Sequence, residues 1–505
     1  MSPSRENPGP DLSLPIGARL KSGALWTYFQ GWIGAVVRFA TGIALARILD
    51  PADFGVFFAV SAYTAIVLMQ VQFGIPEALL QAKQIQTLQW DTAFWFMQGI
   101  SVLAAGILFL LAGALEVVYD DPRYAEIMRW MCLTLLIVPI TSVNGTILRR
   151  QMRYKALAVV SIMGTFLTLI VSLSAAFLGA GAFTFVISGI LGAVVSSLAL
   201  IYYTKWTPIF RMSWASLKPL FAYGWRIHIN NSLTLAAHRV DNMLIGRLSS
   251  MHELGIYNRA FSLSRLPIDE FLGRLYQVIF SGLSRIQDDI VFSIAMYQKV
   301  VCALASTIYP TLLVLIFVAG DFVPLVYGEK WTPAVTPLQI MAVGGFATVI
   351  STTLGSLVDA QGLTGRDIPI QSAYLCLTVV AVIVGVNWGL VGIAVGISLN
   401  QYLVLVLITN LLRRSHLKLR GGEILAAVWV PAVATVVGAC VGMAVDVARP
   451  FGLMGVGLTL SEVASIAVVY TGTWLFLTKR CPRNEAVQAT FQVLINVLER
   501  VGVRR

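Results

Sequence analysis

Charged residues are scarce in this sequence: Asp, Glu, Lys and Arg together make up 12% of its 505 residues, whereas they are about a quarter of an average soluble domain. The chain has four histidines and five cysteines. The histidines do not form the His-x-x-x-His pattern of a helical metal site, and the cysteines have no pair spacing typical of a disulfide or a zinc site. A Gly-rich phosphate loop of the Walker type is also missing. The sequence therefore gives no reason to expect a soluble domain, a bound metal, a cofactor or ATP hydrolysis.

Apolar residues are abundant instead. They make up 57% of the chain and form runs of about 20 to 28 residues, each long enough to cross roughly 30 Å of hydrocarbon. The runs lie at 22–46, 54–82, 90–115, 126–148, 156–179, 182–203, 219–247, 254–284, 294–320, 334–360, 368–388, 390–412, 424–446 and 454–478. They predict an all-α polytopic membrane protein with about fourteen transmembrane helices.

Lys and Arg are distributed unevenly over the predicted loops. If the N-terminus is inside, 23 of the 36 basic residues lie on the cytoplasmic side, five lie outside and eight lie within the spans. Because basic residues accumulate in cytoplasmic loops, this distribution predicts a multi-pass membrane protein with both termini in the cytoplasm. The same bias accounts for the net charge of +11, so we expect no nucleic-acid partner.

Two short segments of the chain repeat at a spacing of 200 residues. Arg47 and Gly55 in the first segment are matched by Arg247 and Gly255 in the second, and in both a helix, a short polar turn and a second helix follow in the same order. Internal repeats of this kind are typical of membrane transporters that bind their substrate where the repeats meet. The repeat predicts two six-helix bundles related by a pseudo-twofold axis, plus two C-terminal helices.

These patterns predict the organisation of the whole chain. It consists of a cytoplasmic disordered tail (1–20), an N-terminal six-helix bundle (21–205), a cytoplasmic inter-bundle loop (206–218), a C-terminal six-helix bundle (219–413), helices 13 and 14 (414–478) and a cytoplasmic amphipathic tail (479–505). Apolar residues recur at helical spacing in the last segment, which fits either a helix on the inner membrane surface or a solvated helix with no lipid role.

Polar and cationic residues inside the spans are the candidate substrate site, because a cation in the bilayer normally faces a bundle interior or an aqueous cavity. The first span carries Gln30 and Arg38. The seventh span carries a polar stripe at spacings of three and four, with a cation at its edge: Asn231, Thr234, His238, Asp241, Asn242 and Arg239. Arg38 aligns with His238 in the 200-residue register, and two cations facing one cavity would bind an anion such as a phosphate. A structural ion pair with Asp241 or another carboxylate is the alternative for Arg239.

Other intramembrane charges are open to two interpretations. Four acidic residues are candidates either for ion coupling or for structural pairs with arginines, namely Asp241, Asp269, Glu270 and Asp359. Arg47 and Arg247 lie where a long side chain reaches the outer headgroups, and we interpret them as gate or structural residues. Nothing in the sequence chooses between H⁺ and Na⁺ as a coupling ion.

Several segments give the chain a family resemblance. Leu45 to Gly55, Phe73-Gly74-Ile75-Pro76-Glu77-Ala78-Leu79-Leu80-Gln81, Gly255-Ile256-Tyr257-Asn258-Arg259-Ala260 and Tyr327-Gly328-Glu329-Lys330-Trp331-Thr332-Pro333-Ala334 resemble the polysaccharide transporter (oligosaccharide flippase) family. That family belongs to the multidrug, oligosaccharidyl-lipid and polysaccharide exporter superfamily, and the resemblance covers about 20–480. It implies a flippase that moves an undecaprenyl-diphosphate-linked oligosaccharide from the inner to the outer leaflet of a bacterial inner membrane, for exopolysaccharide, capsule or lipopolysaccharide synthesis. The implied partners are this substrate, membrane lipids, and a polysaccharide polymerase with its export machinery.

Two other functions remain as alternatives. A drug or cation antiporter of the same superfamily needs an acidic cavity, whereas eight basic residues lie in the spans of this chain against a handful of acidic ones. A polysaccharide polymerase or ligase is the enzymatic alternative, but it usually needs a large outer loop, and every predicted outer connection has roughly 3 to 15 residues. The sequence therefore favours a transporter of an anionic substrate, not an enzyme.

Overall fold

The computed structural model of the chain describes residues 16–448 and 456–480, together with residues 486, 488–490 and 492. This part of the protein is helical and contains no strand. Among these described residues, ten helical stretches are long and apolar enough to cross a membrane, and one of them, 368–414, holds two α-helices. The predicted all-helical membrane protein is confirmed, while its arrangement as fourteen spans stays a prediction. Most of the two predicted tails, 1–20 and 479–505, lies outside the described residues.

The first of two compact units ends at Gly255. Its helices are α1 (Ile16–Ile48), α2 (Pro51–Gln72), α3 (Ile75–Gln81), α4 (Thr87–Tyr119), α5 (Arg123–Arg150), α6 (Tyr154–Phe177), α7 (Phe183–Thr204), α8 (Trp214–Ala237), α9 (Val240–Leu248) and the first turn of α10 (Met251–Arg285). α6 contacts both α1 and α7, and α5 contacts α2, α4 and α7. Large side chains of α3, α4, α5 and α8 form a core that includes Trp90, Met97 and Leu217.

The second unit begins at Ile256. It holds the rest of α10 and then α11 (Ile290–Tyr327), α12 (Val335–Ala360), α13 (Thr364–Gly385), α14 (Gly389–Arg414), α15 (Gly421–Ala448) and α16 (Val456–Arg480), with 3₁₀ helices at Glu329–Ala334 and Val386–Trp388. α12 packs against both α11 and α14. Its Gly344 and Gly345 allow the close packing of these helices. A Cβ at Gly344 would lie only 3.0 Å from Ser398 on α14, and a Cβ at Gly345 only 3.0 Å from Leu312 on α11. The paired glycines therefore belong to the central helix of this unit.

The predicted continuous helix over 54–82 is wrong. α2 ends at Gln72 and α3 begins at Ile75, and between them Phe73 and Gly74 have φ angles of 46° and 66°. A Cβ at Gly74 would lie 2.3 Å from the carbonyl oxygen of Gly224 on α8. The ring of Phe73 stacks on Phe221 and His228 of the same helix, with centroid distances of 4.8 and 4.3 Å. Contact with α8 therefore fixes this break, which the uniform hydrophobicity of the span does not reveal.

Candidate functional site

The polar stripe of the seventh predicted span is divided by a second helix break. α8 ends at Ala237, His238 and Arg239 form a turn, and α9 begins at Val240. The backbone N–H of His238 donates to the carbonyls of Thr234 and Leu235 at 3.2 and 3.1 Å, and the N–H of Arg239 donates to that of Ala236 at 3.1 Å. These tightened bonds close the end of α8, so the prediction of one continuous helix over 219–247 is wrong. Discontinuous helices of this kind form substrate and ion sites in transporters.

The residues of the stripe differ in exposure on the two sides of the break. Asn231 on α8 and Arg239 at the start of α9 are half-buried, and His238 is exposed. Asp241 and Asn242 on α9 are buried, and the Asp241 carboxylate accepts the backbone N–H of Asn242 at 2.8 Å. The two groups of residues lie on separate helices, and the turn with His238 and Arg239 joins them.

The first helix places its two candidate residues differently. Gln30 is half-buried and Arg38 is exposed on α1, which packs against α6. The Arg38 guanidinium folds back along its own helix, so that a Cβ at Gly34 would lie 2.8 Å from its Nη1 atom. The place of Arg38 opposite His238 and Arg239 across a cavity stays a prediction.

The two repeated turns are in direct contact. We call residues 47–55 and 247–255 the repeat turns. A Cβ at Gly55 would lie 1.7 Å from the carbonyl oxygen of Met251, and a Cβ at Gly255 would lie 1.9 Å from that of Pro51. Pro51 and Met251 are also equivalent positions, 200 residues apart. The contact of Gly55 with Met251 therefore has the same form as the contact of Gly255 with Pro51. The repeat seen in the sequence is therefore also a reciprocal backbone contact in space.

Arg47 and Arg247 lie one turn before this contact. Both side chains are exposed, so they are not buried where Gly55 and Gly255 bring the two repeat turns together. The acidic candidates are placed separately: Asp241 is buried on α9, Glu270 on α10 and Asp359 on α12 are half-buried, and Asp269 on α10 is exposed. No group of three or more potential metal ligands occurs among the described residues.

A polar cluster next to the first repeat turn was missed by the sequence analysis. Arg123 binds Asp53 at 3.0 Å and Asp121 at 2.8 Å. The Tyr119 hydroxyl lies 3.0 Å from that of Tyr63 and donates to the carbonyl of Met243 on α9 at 3.1 Å. The only sign of this cluster in the sequence is that Asp53 lies within the repeated segment 47–55. The cluster links the first turn of α2 to the start of α5 and connects α4 to α9.

In the second unit, two of the segments that carried the family resemblance meet. The Arg259 guanidinium on α10 lies 4.9 Å from the ring centroid of Tyr327 and 5.2 Å from that of Trp331. Both aromatic side chains are buried, with 1% and 0% of their surface exposed. A cation held between two aromatic rings is stabilised by their negative faces. The Tyr-Gly-x-Lys-Trp segment therefore has a structural role that its spacing alone did not show.

Arg265 lies one to two turns further along α10. It lines a cavity of about 20 Å³ together with Ser264, Thr348, Ser398 and Gln401. A space of this size holds about one water molecule, so in this state it is not a substrate pocket. It does place an arginine beside polar groups of α12 and α14 in the same unit.

Comparison with known proteins places the chain in a family. The family model described as polysaccharide biosynthesis protein matches residues 44–336. The chain is 22% identical to the lipopolysaccharide biosynthesis protein WzxC of Escherichia coli over 81% of its own length and 84% of that protein. It is 24% identical to the teichuronic acid biosynthesis protein TuaB of Bacillus subtilis, with coverage of 69% and 72%, and 23% identical to the succinoglycan biosynthesis transport protein ExoT of Rhizobium meliloti, with coverage of 63% and 64%.

Solved structures show the same fold. The lipid II flippase MurJ in an inward closed conformation matches with a TM-score of 0.71 at 12% identity, over 91% of this chain and 99% of that one. An inward-facing MATE family multidrug resistance transporter of the MOP superfamily matches with a TM-score of 0.63 at 16% identity, over 76% and 95%. Since the family model covers more than half of the chain, the resemblance found in the sequence is confirmed: the protein belongs to the polysaccharide biosynthesis protein family and is a multi-pass membrane protein with the fold that MurJ and the MATE transporters share.

Proposed function

We propose that this protein moves an undecaprenyl-diphosphate-linked oligosaccharide across the bacterial inner membrane by alternating access. Its relatives act in the synthesis of lipopolysaccharide, teichuronic acid and succinoglycan, and the similar structure of MurJ is that of a lipid II flippase. These polymers differ in their sugars, whereas a lipid-linked diphosphate is a carrier that one transport mechanism can serve. The sugar chain itself is left open by this argument.

The reciprocal contact of Gly55 and Gly255 is the observation that carries the proposal. Alternating access needs a closure on one side that forms and separates as the two repeats move. The repeat turns can form such a closure, because their backbones meet directly at Gly55 and Gly255 with no side chain between them at these two points. They lie on the predicted outer side, so the described state is closed to the outside in this proposal.

The substrate diphosphate is proposed to bind near the break between α8 and α9. Arg239 and His238 lie at this break, where the positive end of the α9 helix dipole also favours an anion. Arg38 on α1 is the proposed second cation, with Gln30, Asn231 and Asn242 as polar neighbours for the sugars. Asp241, Asp269, Glu270 and Asp359 remain the candidates for ion coupling.

The alternatives are less well supported. A cation antiporter needs carboxylates at the binding position, and the exposed or half-buried residues at the α8–α9 break are His238 and Arg239. A polymerase needs room for an acceptor, but the connection from α4 to α5 is the three residues 120–122 and that from α9 to α10 is Ser249 and Ser250.

The test is flipping of a polyprenyl-diphosphate-linked oligosaccharide in proteoliposomes. Arg38→Ala and Arg239→Ala should each lower the flipping rate at least tenfold, and Lys at the same positions should restore part of it, because Lys keeps the charge but not the paired donors of Arg. Lys418→Ala, which removes an exposed cation from a loop, is the matched control and should retain the rate. Wild-type flipping by both arginine variants would contradict the proposed site.

A further inference from the structure

The connection between α7 and α8 is fastened to the start of α4. The backbone N–H of Ile209 donates to the Asp91 carboxylate at 3.3 Å, and its carbonyl accepts from Trp95 Nε1 at 2.9 Å. Four residues later, the N–H of Ser213 donates to the Thr92 hydroxyl at 3.2 Å. Residues 205–213 are therefore a non-helical segment that turns at Phe210 and is held at two points, and not a free linker.

This segment exposes large apolar side chains although its backbone is fixed. Phe210, Met212 and Trp214 are 81%, 58% and 64% exposed. The three side chains lie within five residues of one another, where the segment passes into the first residue of α8, and we call them the apolar ridge. The ring of Phe210 also contacts Trp95, with 4.9 Å between the centroids, which holds the start of the ridge in place.

The ridge is accompanied by cations and lacks acidic neighbours in the sequence. Lys205, Arg211 and Lys218 are exposed on and beside it. No Asp or Glu occurs anywhere between Glu126 and Asp241. The segment follows directly on α7, which ends at Thr204 and is long and apolar enough to cross a membrane. Its apolar side chains thus begin at the level where hydrocarbon gives way to headgroups.

We propose that residues 205–218 form a membrane-surface anchor that binds anionic phospholipid headgroups of the leaflet in which α7 ends. Trp and Phe are suited to the interface between hydrocarbon and headgroups, and each nearby Lys or Arg adds attraction to anionic lipid. The fixed backbone presents the three apolar side chains without a cost in ordering the loop. The anchor does not depend on the transported substrate or on which face of the membrane the segment occupies.

The depth of Trp214 tests the apolar part of the anchor. The full-length protein is placed in vesicles of equal parts phosphatidylcholine and phosphatidylglycerol, and the emission of Trp214→Phe is subtracted from that of the wild type. Phosphatidylcholine brominated near the headgroup end of its acyl chains should quench this difference signal more strongly than lipid brominated near the chain ends. A difference signal that ignores both lipids and is quenched by aqueous iodide would overturn the proposal.

Lipid selectivity tests the cationic part with a matched pair of variants. Arg211→Gln with Lys218→Gln should lower the preference of the purified protein for phosphatidylglycerol over phosphatidylcholine by about fivefold for each cation removed. The control is Lys418→Gln with Arg420→Gln, which removes two exposed cations from a loop whose Leu417 and Leu419 are buried. Equal loss in both pairs, or no loss in either, would overturn the proposal. The proposal would also be overturned if a second protein bound over Phe210 and the preference for phosphatidylglycerol did not change.

Discussion

Replacing Gly55 with Ala should shift the transporter away from the state in which the repeat turns are closed. The new Cβ would lie 1.7 Å from the Met251 carbonyl oxygen, whereas ordinary contacts begin at 3.4 Å. The two backbones must therefore separate by about 1.7 Å, the difference between these distances. Overpacking of this kind costs about 1 to 3 kcal/mol, which changes the ratio of closed to open protein by about 5- to 150-fold.

The reciprocal contact makes a further demand on this prediction. Gly255→Ala places its Cβ 1.9 Å from the Pro51 carbonyl oxygen, so it should have nearly the same effect as Gly55→Ala. The two substitutions open one contact, so the double variant should lose much less than the sum of the two single losses. Gly99→Ala on α4 is the matched control, because a Cβ there meets nothing within 4 Å.

Two assays measure the effect. The rate of disulfide formation between cysteines introduced at Asp50 and Ser250 reports the closed state, and it should fall in both glycine variants. Flipping in proteoliposomes should fall with it, since transport needs both states. Amounts of protein in the membrane must match those of Gly99→Ala. If both glycine variants form the disulfide and transport substrate as fast as this control, the repeat turns are not a closure.

Other predictions address the topology and two clusters. Reporters fused after Arg153 should report the cytoplasm and those at Glu329 the outside, and a reversed result would contradict the predicted orientation. Arg259→Lys should lower the free energy of unfolding of the purified protein by about 1 to 2 kcal/mol, because a compact ammonium makes poorer contact with the rings of Tyr327 and Trp331. An unchanged free energy of unfolding would show that the two rings stabilise the protein only through packing. Arg123→Ala should lower the free energy of unfolding by less, about 1 kcal/mol or below, because its ion pairs are partly exposed. Asp53→Asn should have a similar effect. A loss as large as that caused by removing a core side chain would contradict the partly exposed position of these ion pairs.

The sequence predicted most of the long helices well because they depend on local composition. Runs such as 156–179 agree with α6 to within a few residues, since an α-helix satisfies its backbone hydrogen bonds within one apolar segment. The repeat of Arg47 and Gly55 at Arg247 and Gly255 was visible as identity at fixed spacing. The contact between the repeat turns could not be read in the same way, because it depends on backbone geometry that only the fold supplies.

The helix breaks and the aromatic cluster needed tertiary information. Phe73 adopts a left-handed conformation, which is uncommon for a residue with a Cβ, and it does so where α8 covers it on one side. His238 and Arg239 fall within a polar stripe that has helical spacing, so periodicity predicted continuity where the chain turns. Arg259 is separated by almost seventy residues from Tyr327, and spacing over that distance carries no information about contact.

The glycine contact has a consequence for the origin of the chain. If each residue is replaced by its counterpart 200 residues away, the pair Gly55 and Met251 becomes the pair Gly255 and Pro51. Contacts of this kind are called isologous and occur in symmetric dimers, in which the same surface patch of both subunits meets. If the 200-residue repeat arose by duplication of a half-length ancestor, two copies of that ancestor would have made this contact as a dimer, and one substitution would have altered both of its sides at once. The present chain can change Gly55 and Gly255 independently, so its closure need not be symmetric.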